Sequence, residues 1–162
     1  MLRRPVRTVP NAAVLLATVL LATACGSEPP QVTFTVAGAS VAARPTQYCD
    51  LRLADCTGDE AAPVQVAVPA GTPLQVAVPD DVAEAPWHVV FRYRDGTGQE
   101  VEARSPLFAA QQHDWTLALP QPGDRLLTAQ VQQFGPAPQI NEETGEVEFP
   151  VRGSWVLTTP GA

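Results

Sequence analysis

The chain has 162 residues and a net charge of −7, and its ten cations are all arginine. That balance excludes binding to nucleic acid, or to anionic lipid, by bulk electrostatics, because either partner needs a positive field. Seventeen prolines and 11 glycines, with no long charged helical stretch, point to short strands joined by turns.

The first 24 residues differ in kind from the rest. Arg3, Arg4 and Arg7 form a positive head, and residues 11–24 are uncharged and dominated by Ala, Val and Leu, the layout of a secretory signal peptide. The apolar run is shorter than the roughly 20 residues of a spanning helix and ends in small residues, so it reads as a cleaved leader. In Leu21-Ala22-Thr23-Ala24-Cys25 a cysteine follows small residues directly after that run. This resembles the lipobox of bacterial lipoproteins, with Ala22 standing where leucine is commonest. The resemblance implies acylation of the Cys25 thiol and a mature N-terminus at that residue. The predicted organisation is a signal peptide over 1–24, a lipidated cysteine with a short tether over 25–30, and one extracytoplasmic domain over 31–162. The predicted location is the outer face of the cytoplasmic membrane. Past residue 24, seventeen acids stand against seven arginines, a net charge of −10.

Val32, Phe34 and Val36 alternate with polar neighbours, which predicts a half-buried strand. Ala37-Gly38-Ala39 turns the chain into a weak strand over 41–44, and residues 45–62 read as irregular. Cys49 and Cys56 lie in that stretch. With Cys25 taken by lipid and the compartment oxidising, they have only each other, so a disulfide is expected. Closing so short a loop is worth about 2.5 kcal/mol on the chain-entropy account. Two similar segments follow, Pro63-Val64-Gln65-Val66-Ala67-Val68-Pro69 and Pro73-Leu74-Gln75-Val76-Ala77-Val78-Pro79. Both alternate and both end in proline, which cannot donate to a ladder, so they read as successive strands about the Ala70-Gly71-Thr72 turn.

Residues 87–94 form the clearest strand, with Trp87, Val89, Phe91 and Tyr93 on one face and His88, Val90, Arg92 and Arg94 on the other. Asp95-Gly96-Thr97-Gly98 is a hairpin turn, followed by a return strand over 99–103. Trp115, Leu117 and Leu119 mark a strand stopped by Pro120, and Leu127, Ala129 and Val131 mark the next. Residues 135–150 form a long connection with a small hairpin at Thr144-Gly145, and Trp155 and Leu157 mark a last strand ending near Thr159. Seven to nine short strands without a helix predict an all-β fold, an antiparallel two-sheet sandwich. A Trp-bearing middle strand and two late strands joined by a long loop make it immunoglobulin-like by analogy.

Pro45-Thr46-Gln47-Tyr48-Cys49-Asp50, Cys56, Pro86-Trp87, Phe91-Arg92-Tyr93, Leu127-Thr128-Ala129-Gln130-Val131-Gln132-Gln133 and Gly153-Ser154-Trp155 together resemble a family of actinobacterial lipoproteins grouped as a domain of unknown function. The resemblance covers nearly the whole mature chain. It implies an envelope location and an all-β domain, and carries no activity with it.

Catalytic patterns are missing from the sequence: there is no Gly-x-Ser-x-Gly elbow, His-Glu-x-x-His helix or phosphate-binding glycine loop. His113-Asp114 sets a base beside an acid, but neighbours on a strand face opposite ways and cannot bond as a catalytic pair. His88 and His113 lie on different strands, and the mature chain has no methionine for copper(I), so neither a metal nor a cofactor is expected. Glu142, Glu143, Glu146 and Glu148 read as a solvated face in preference to a calcium loop. Trp87, Trp115 and Trp155 read as core, and Tyr48 and Phe134 as the aromatics left exposed.

These observations favour a membrane-anchored, non-enzymatic binding or scaffolding module of the cell envelope. The alternatives are a small-ligand or metal carrier between membrane and wall, or an accessory hydrolase using His113. The expected partners are the bilayer, through acylated Cys25, and an envelope protein or anionic polymer. If the strands of Trp87, Leu127 and Trp155 are neighbours, Arg92, Arg94, Gln130, Gln132 and Arg152 share one outward face suited to bidentate contact with carboxylate or phosphate. Exchanging the three arginines for glutamine should then leave the melting temperature nearly unchanged. The bland expectation is that they pair with glutamates of residues 135–150. The lipobox yields a direct prediction: the mature protein carries acyl mass on Cys25, and Cys25→Ala blocks processing or moves the protein from the detergent phase to the medium. An intact mass without acyl addition refutes it.

Overall fold

A computed structural model describes residues 28–141 and 143–161; the leader and Cys25 lie outside the described residues, as does Glu142 of the acidic run. The chain runs through β1 (Val32–Val36), β2 (Ala39–Ala43), β3 (Gln47–Cys49), β4 (Cys56–Gly58), β5 (Val64–Gln65) and β6 (Leu74–Ala77). A single helical turn, α1 (Asp80–Ala83), precedes β7 (Trp87–Arg94), β8 (Glu100–Arg104), β9 (Asp114–Leu117) and β10 (Arg125–Phe134). The short hairpin β11 (Gln139–Ile140) and β12 (Val147–Glu148) leads to β13 (Val151–Thr158). Among the described residues thirteen strands exceed the seven to nine expected, because five of them have three residues or fewer.

The protein is all-β. One sheet has the order β2-β1-β6-β9; the other has β4-β3-β13-β10-β7-β8, with β5 added to β13. Every pairing is antiparallel except β5 with β13, which is parallel. One core lies between the sheets. Phe34, Leu74, Val76 and Leu117 from the first sheet meet Trp87, Val89, Phe91, Ala129, Val131, Trp155 and Leu157 from the second. Trp87 and Trp155 are fully buried, and Trp115 is half-buried against the core, beside Phe91 and Phe108. The indole N–H groups also find acceptors inside, Trp87 Nε1 donating to the Gln112 carbonyl and Trp155 Nε1 to the Pro30 carbonyl, each at 2.8 Å.

Turn chemistry sets the hairpins. Ala37 and Gly38 both take positive φ, 49° and 85°, in the two-residue connection of β1 to β2, as the favoured hairpin turn requires. At the β7–β8 turn the Asp95 carboxylate accepts from the amides of Thr97 and Gln99 and from the Thr97 hydroxyl. The bond from that hydroxyl, chiefly, holds Asp95 below the usual carboxylate range.

Several expectations are corrected. The two proline-bounded echoes do not form a hairpin: Val64 and Gln65 pair with β13 in one sheet, while Leu74 to Ala77 pair with β1 and β9 in the other. Each segment has a proline at both ends, which bars ladder donation there but does not select which edge the residues between will join. Residues 45–62 are more ordered than they read, since β3 and β4 form a hairpin in which Cys49 and Cys56 stand directly opposite and are disulfide-bonded. The alternation of Leu127, Ala129 and Val131 with Thr128, Gln130 and Gln132 is as expected, and a bulge at Leu127 buries Leu126 as well, opposite Tyr93. The helical turn α1, missed because only Val82 and Ala83 are apolar in it, is fastened by Gln133. That fully buried side chain donates through Nε2 to the carbonyls of Asp81 and Val82.

Close packing at Gly153 gives a test. A Cβ there would lie 2.7 Å from Trp155 Cη2 and 2.9 Å from Tyr48 Cδ2, atoms of rigid rings that cannot swing aside. Gly153→Ala should therefore lower unfolding free energy by about 1–3 kcal/mol, measured by urea denaturation; an unchanged midpoint would show that the two rings are loosely held.

Candidate functional site

The five residues of the expected binding face do not stay together. Arg92, Gln130 and Gln132 do project from the outer surface of the larger sheet, with Arg92 opposite Thr128 and Gln130 opposite Val90. Arg94 is ion-paired with Glu100 at 2.8 Å across the β7–β8 hairpin. Arg152 leaves the face altogether. In the β10–β13 ladder Gln133 pairs with Gly153 and Phe134 with Val151, so Arg152 is the extra residue of a bulge, and a bulged residue is re-aimed. Its side chain is only 10 % exposed. Nε donates to the Cys49 carbonyl at 3.2 Å, Nη1 donates to Glu84 Oε1 at 3.1 Å, and the guanidinium lies 4.9 Å from the centre of the Tyr48 ring. Arg94 and Arg152 thus pair with Glu100 and Glu84, and among the described residues neither takes a partner from residues 135–150. Burial, chiefly, pushes the Tyr48 phenol above its ordinary pKa; Arg152 opposes this, and Asp81 and Glu84 add to the rise. The phenol stays neutral, and Glu84 is the counter-charge of the guanidinium.

A different site forms where β7 begins and β10 ends. A groove of about 780 Å³ opens there, lined by Leu51, Leu107, Phe134, Phe149, His88 and Arg104 among others. Three loops converge to make it. The β3–β4 loop is pinned by the disulfide and by the Asp50 carboxylate, which accepts from the amides of Ala54 and Asp55 at 2.9 and 3.3 Å. The first of these bonds, chiefly, holds Asp50 below the usual carboxylate range. This loop presents Leu51 to the groove and rests Leu53 on Gly135, where a Cβ would come within 3.1 Å of Leu53 Cδ1. The segment after β8 supplies Leu107, and the segment after β12 supplies Phe149, whose ring meets Phe134 edge-on at 6.4 Å. The Gly135 amide donates to the Pro150 carbonyl and closes the base of the β11–β12 hairpin.

The exposure of this groove is its main physical feature. Leu51, Leu107 and Phe149 are 60, 62 and 57 % exposed. The other large apolar side chains exposed among the described residues, Ile140 and Val147, pair with each other on the adjoining hairpin. Contiguous apolar surface of this kind marks a binding site, and the volume falls within the roughly 300–1,000 Å³ usual for small-molecule pockets.

Two polar groups of the groove are hydrogen-bonded within the fold. His88 Nε2 is 2.9 Å from Gln132 Oε1 and the imidazole packs against Phe134. The Ser105 hydroxyl donates to the Pro106 carbonyl and accepts from the Val89 amide. Serine and histidine are therefore each bonded elsewhere and not to one another, unlike a nucleophile and its base. His113 lies outside the groove, 3.7 Å from Asp80 on an exposed surface. Among the described residues no cluster of three or more His, Cys, Asp or Glu side chains is placed to hold a metal ion.

Sequence reading missed the groove because its walls come from loops without periodicity. Two signals were present: Phe134 as an aromatic at a strand end, and the length of the 135–150 connection.

A family model described as a protein of unknown function, DUF2771, matches residues 26–160. No curated protein and no solved structure matches the chain.

Arg152 and Arg92 should now separate in behaviour. Arg152→Gln leaves the Cys49 carbonyl and Glu84 without their donor and should cost about 2–3 kcal/mol of stability, whereas Arg92→Gln on the open surface should stay within about 0.5 kcal/mol. Equal melting curves for the two variants would contradict the burial of Arg152.

Proposed function

We propose that this protein, which belongs to the DUF2771 family of proteins of unknown function, is a lipid-anchored, non-enzymatic binding module of the cell envelope whose ligand site is the apolar groove. The single observation that carries the reading is the open cavity of about 780 Å³ between Leu51, Leu107, Phe134 and Phe149. Keeping Leu107 and Phe149 in water costs roughly 25 cal/mol per Å² of apolar surface, and covering them with a ligand recovers that free energy. Among the roles open to the sequence, the groove favours a carrier or sensor of an apolar small ligand over a scaffold working through its arginines. Family membership supports the boundary at Cys25, since the matched span starts at residue 26, immediately beyond it.

A photoreactive p-benzoylphenylalanine placed at Leu107 should capture the ligand in intact cells, and the same group at Thr97, in the turn at the far end of β7, should not. Phe149→Asp should abolish the capture while leaving the melting temperature within a few degrees, because the ring is already exposed. Equal capture at Leu107 and Thr97 would remove the groove as the site.

A further inference from the structure

We infer that the groove takes an acyl chain of an anionic phospholipid from the bilayer to which the protein is anchored, with Arg104 meeting the phosphate. This rests on the groove being the ligand site.

The first argument is position. Glu84 and Arg152 line the groove, and the same two residues line a smaller cavity on their other side, formed with Glu28, Pro29 and Pro30. The start of the domain is fixed there, since Trp155 Nε1 donates to the Pro30 carbonyl. Three residue steps separate Glu28 from Cys25, a reach of about 11 Å at most. An acylated Cys25 thus holds the bilayer against the end of the sandwich that carries the groove. Leu51, Leu107 and Phe149, exposed at that end, then face hydrocarbon and headgroups in place of water.

Charge supplies the second argument. Arg104 is exposed and lines the groove, and it makes no ion pair among the described residues. Glu84, the carboxylate of the groove, is already neutralised by Arg152. In a chain whose net charge past residue 24 is −10, from seventeen acids against seven arginines, this leaves a local positive site beside an apolar one, the complement of an amphiphile with an anionic head. The acyl groups of Cys25 itself would fill the apolar part but bring no anion to Arg104, which favours a membrane phospholipid over self-insertion. Each methylene covered multiplies affinity roughly fourfold, so the apolar wall provides grip and Arg104 provides selection.

The test uses the mature acylated protein reconstituted in phosphatidylcholine vesicles. The vesicles contain, in parallel samples at equal doping, phosphatidylglycerol or phosphatidylcholine with a diazirine in the acyl chain. After irradiation, label should fall on the peptides holding Leu107, Phe134 and Phe149, about tenfold more from phosphatidylglycerol than from phosphatidylcholine. Arg104→Gln, an exposed substitution, should lower the phosphatidylglycerol signal about tenfold, to the phosphatidylcholine level; Phe149→Asp should lower both. Label confined to residues 26–30, equal labelling by the two lipids, or no effect of Arg104→Gln overturns the assignment. If p-benzoylphenylalanine at Leu107 captures a ligand in cells but the groove takes no phospholipid label, the lipid assignment falls and the groove stands; if neither reacts, both fall.

Discussion

A guanidinium removed from water must have both its charge and its donors met, and Arg152 meets these demands with parts from three regions of the chain. The Cys49 carbonyl comes from β3, the Tyr48 ring from the residue before it, the Glu84 carboxylate from the end of α1, and the cation itself from a bulge in β13. Removing any one partner strands a buried polar group, which costs more than the intact cluster contributes. The cluster therefore constrains where β3 docks on β13, how α1 closes the end of the sandwich, and which loops reach the groove. It also divides the groove from the cavity at residues 28–30. The disulfide adds to this at one remove, by holding Cys49 in the hairpin whose carbonyl Arg152 requires.

Much of the sheet framework was legible because period-two alternation is a direct imprint of a half-buried strand. Val32, Phe34 and Val36, and Trp87, Val89, Phe91 and Tyr93, are buried as alternation indicates, with His88 buried as well although alternation puts it on the outward face. Where a ladder carries an extra residue, the imprint breaks without any local sign. Nothing in Phe134-Gly135 or Val151-Arg152-Gly153 announces the bulge that sends Arg152 inward, and the outward-face reading failed at that residue while holding at Arg92, Gln130 and Gln132. The echo of the two proline-bounded segments failed for another reason: local similarity says nothing about which distant edge each copy will find. β5 pairs with β13 in one sheet, and β6 with β1 and β9 in the other. The groove was the least legible of all, since Leu51, Leu107 and Phe149 are single apolar residues in three separate loops, and only the fold brings them to one end.

The charge distribution has a structural side as well. The β8 edge of the larger sheet carries Glu100, Glu102 and Arg104, and charged side chains on an edge discourage pairing with another sheet. Two of these charges face inward partners along the ladder, Glu100 on Arg94 and Glu102 opposite Arg92. Arg104, at the end nearest the groove, is left over. The same strand thus protects an edge along most of its length and supplies an unmatched cation at its end.

The place of β13 bears on how the chain can reach this fold at all. It pairs with β10, β3 and β5, and its Trp155 holds the Pro30 carbonyl at a separation of 125 residues. That bond is thus deferred until nearly the end of the chain has been delivered, while β1 itself finds its partners earlier, in β2 and β6. Structures dominated by such distant pairings form slowly. A chain delivered from its N-terminus has every strand of the smaller sheet in hand by β9, while the larger sheet stays open along β10 until β13 arrives. The two layers of the sandwich are therefore completed at different times, the smaller first and the larger only with the last strand.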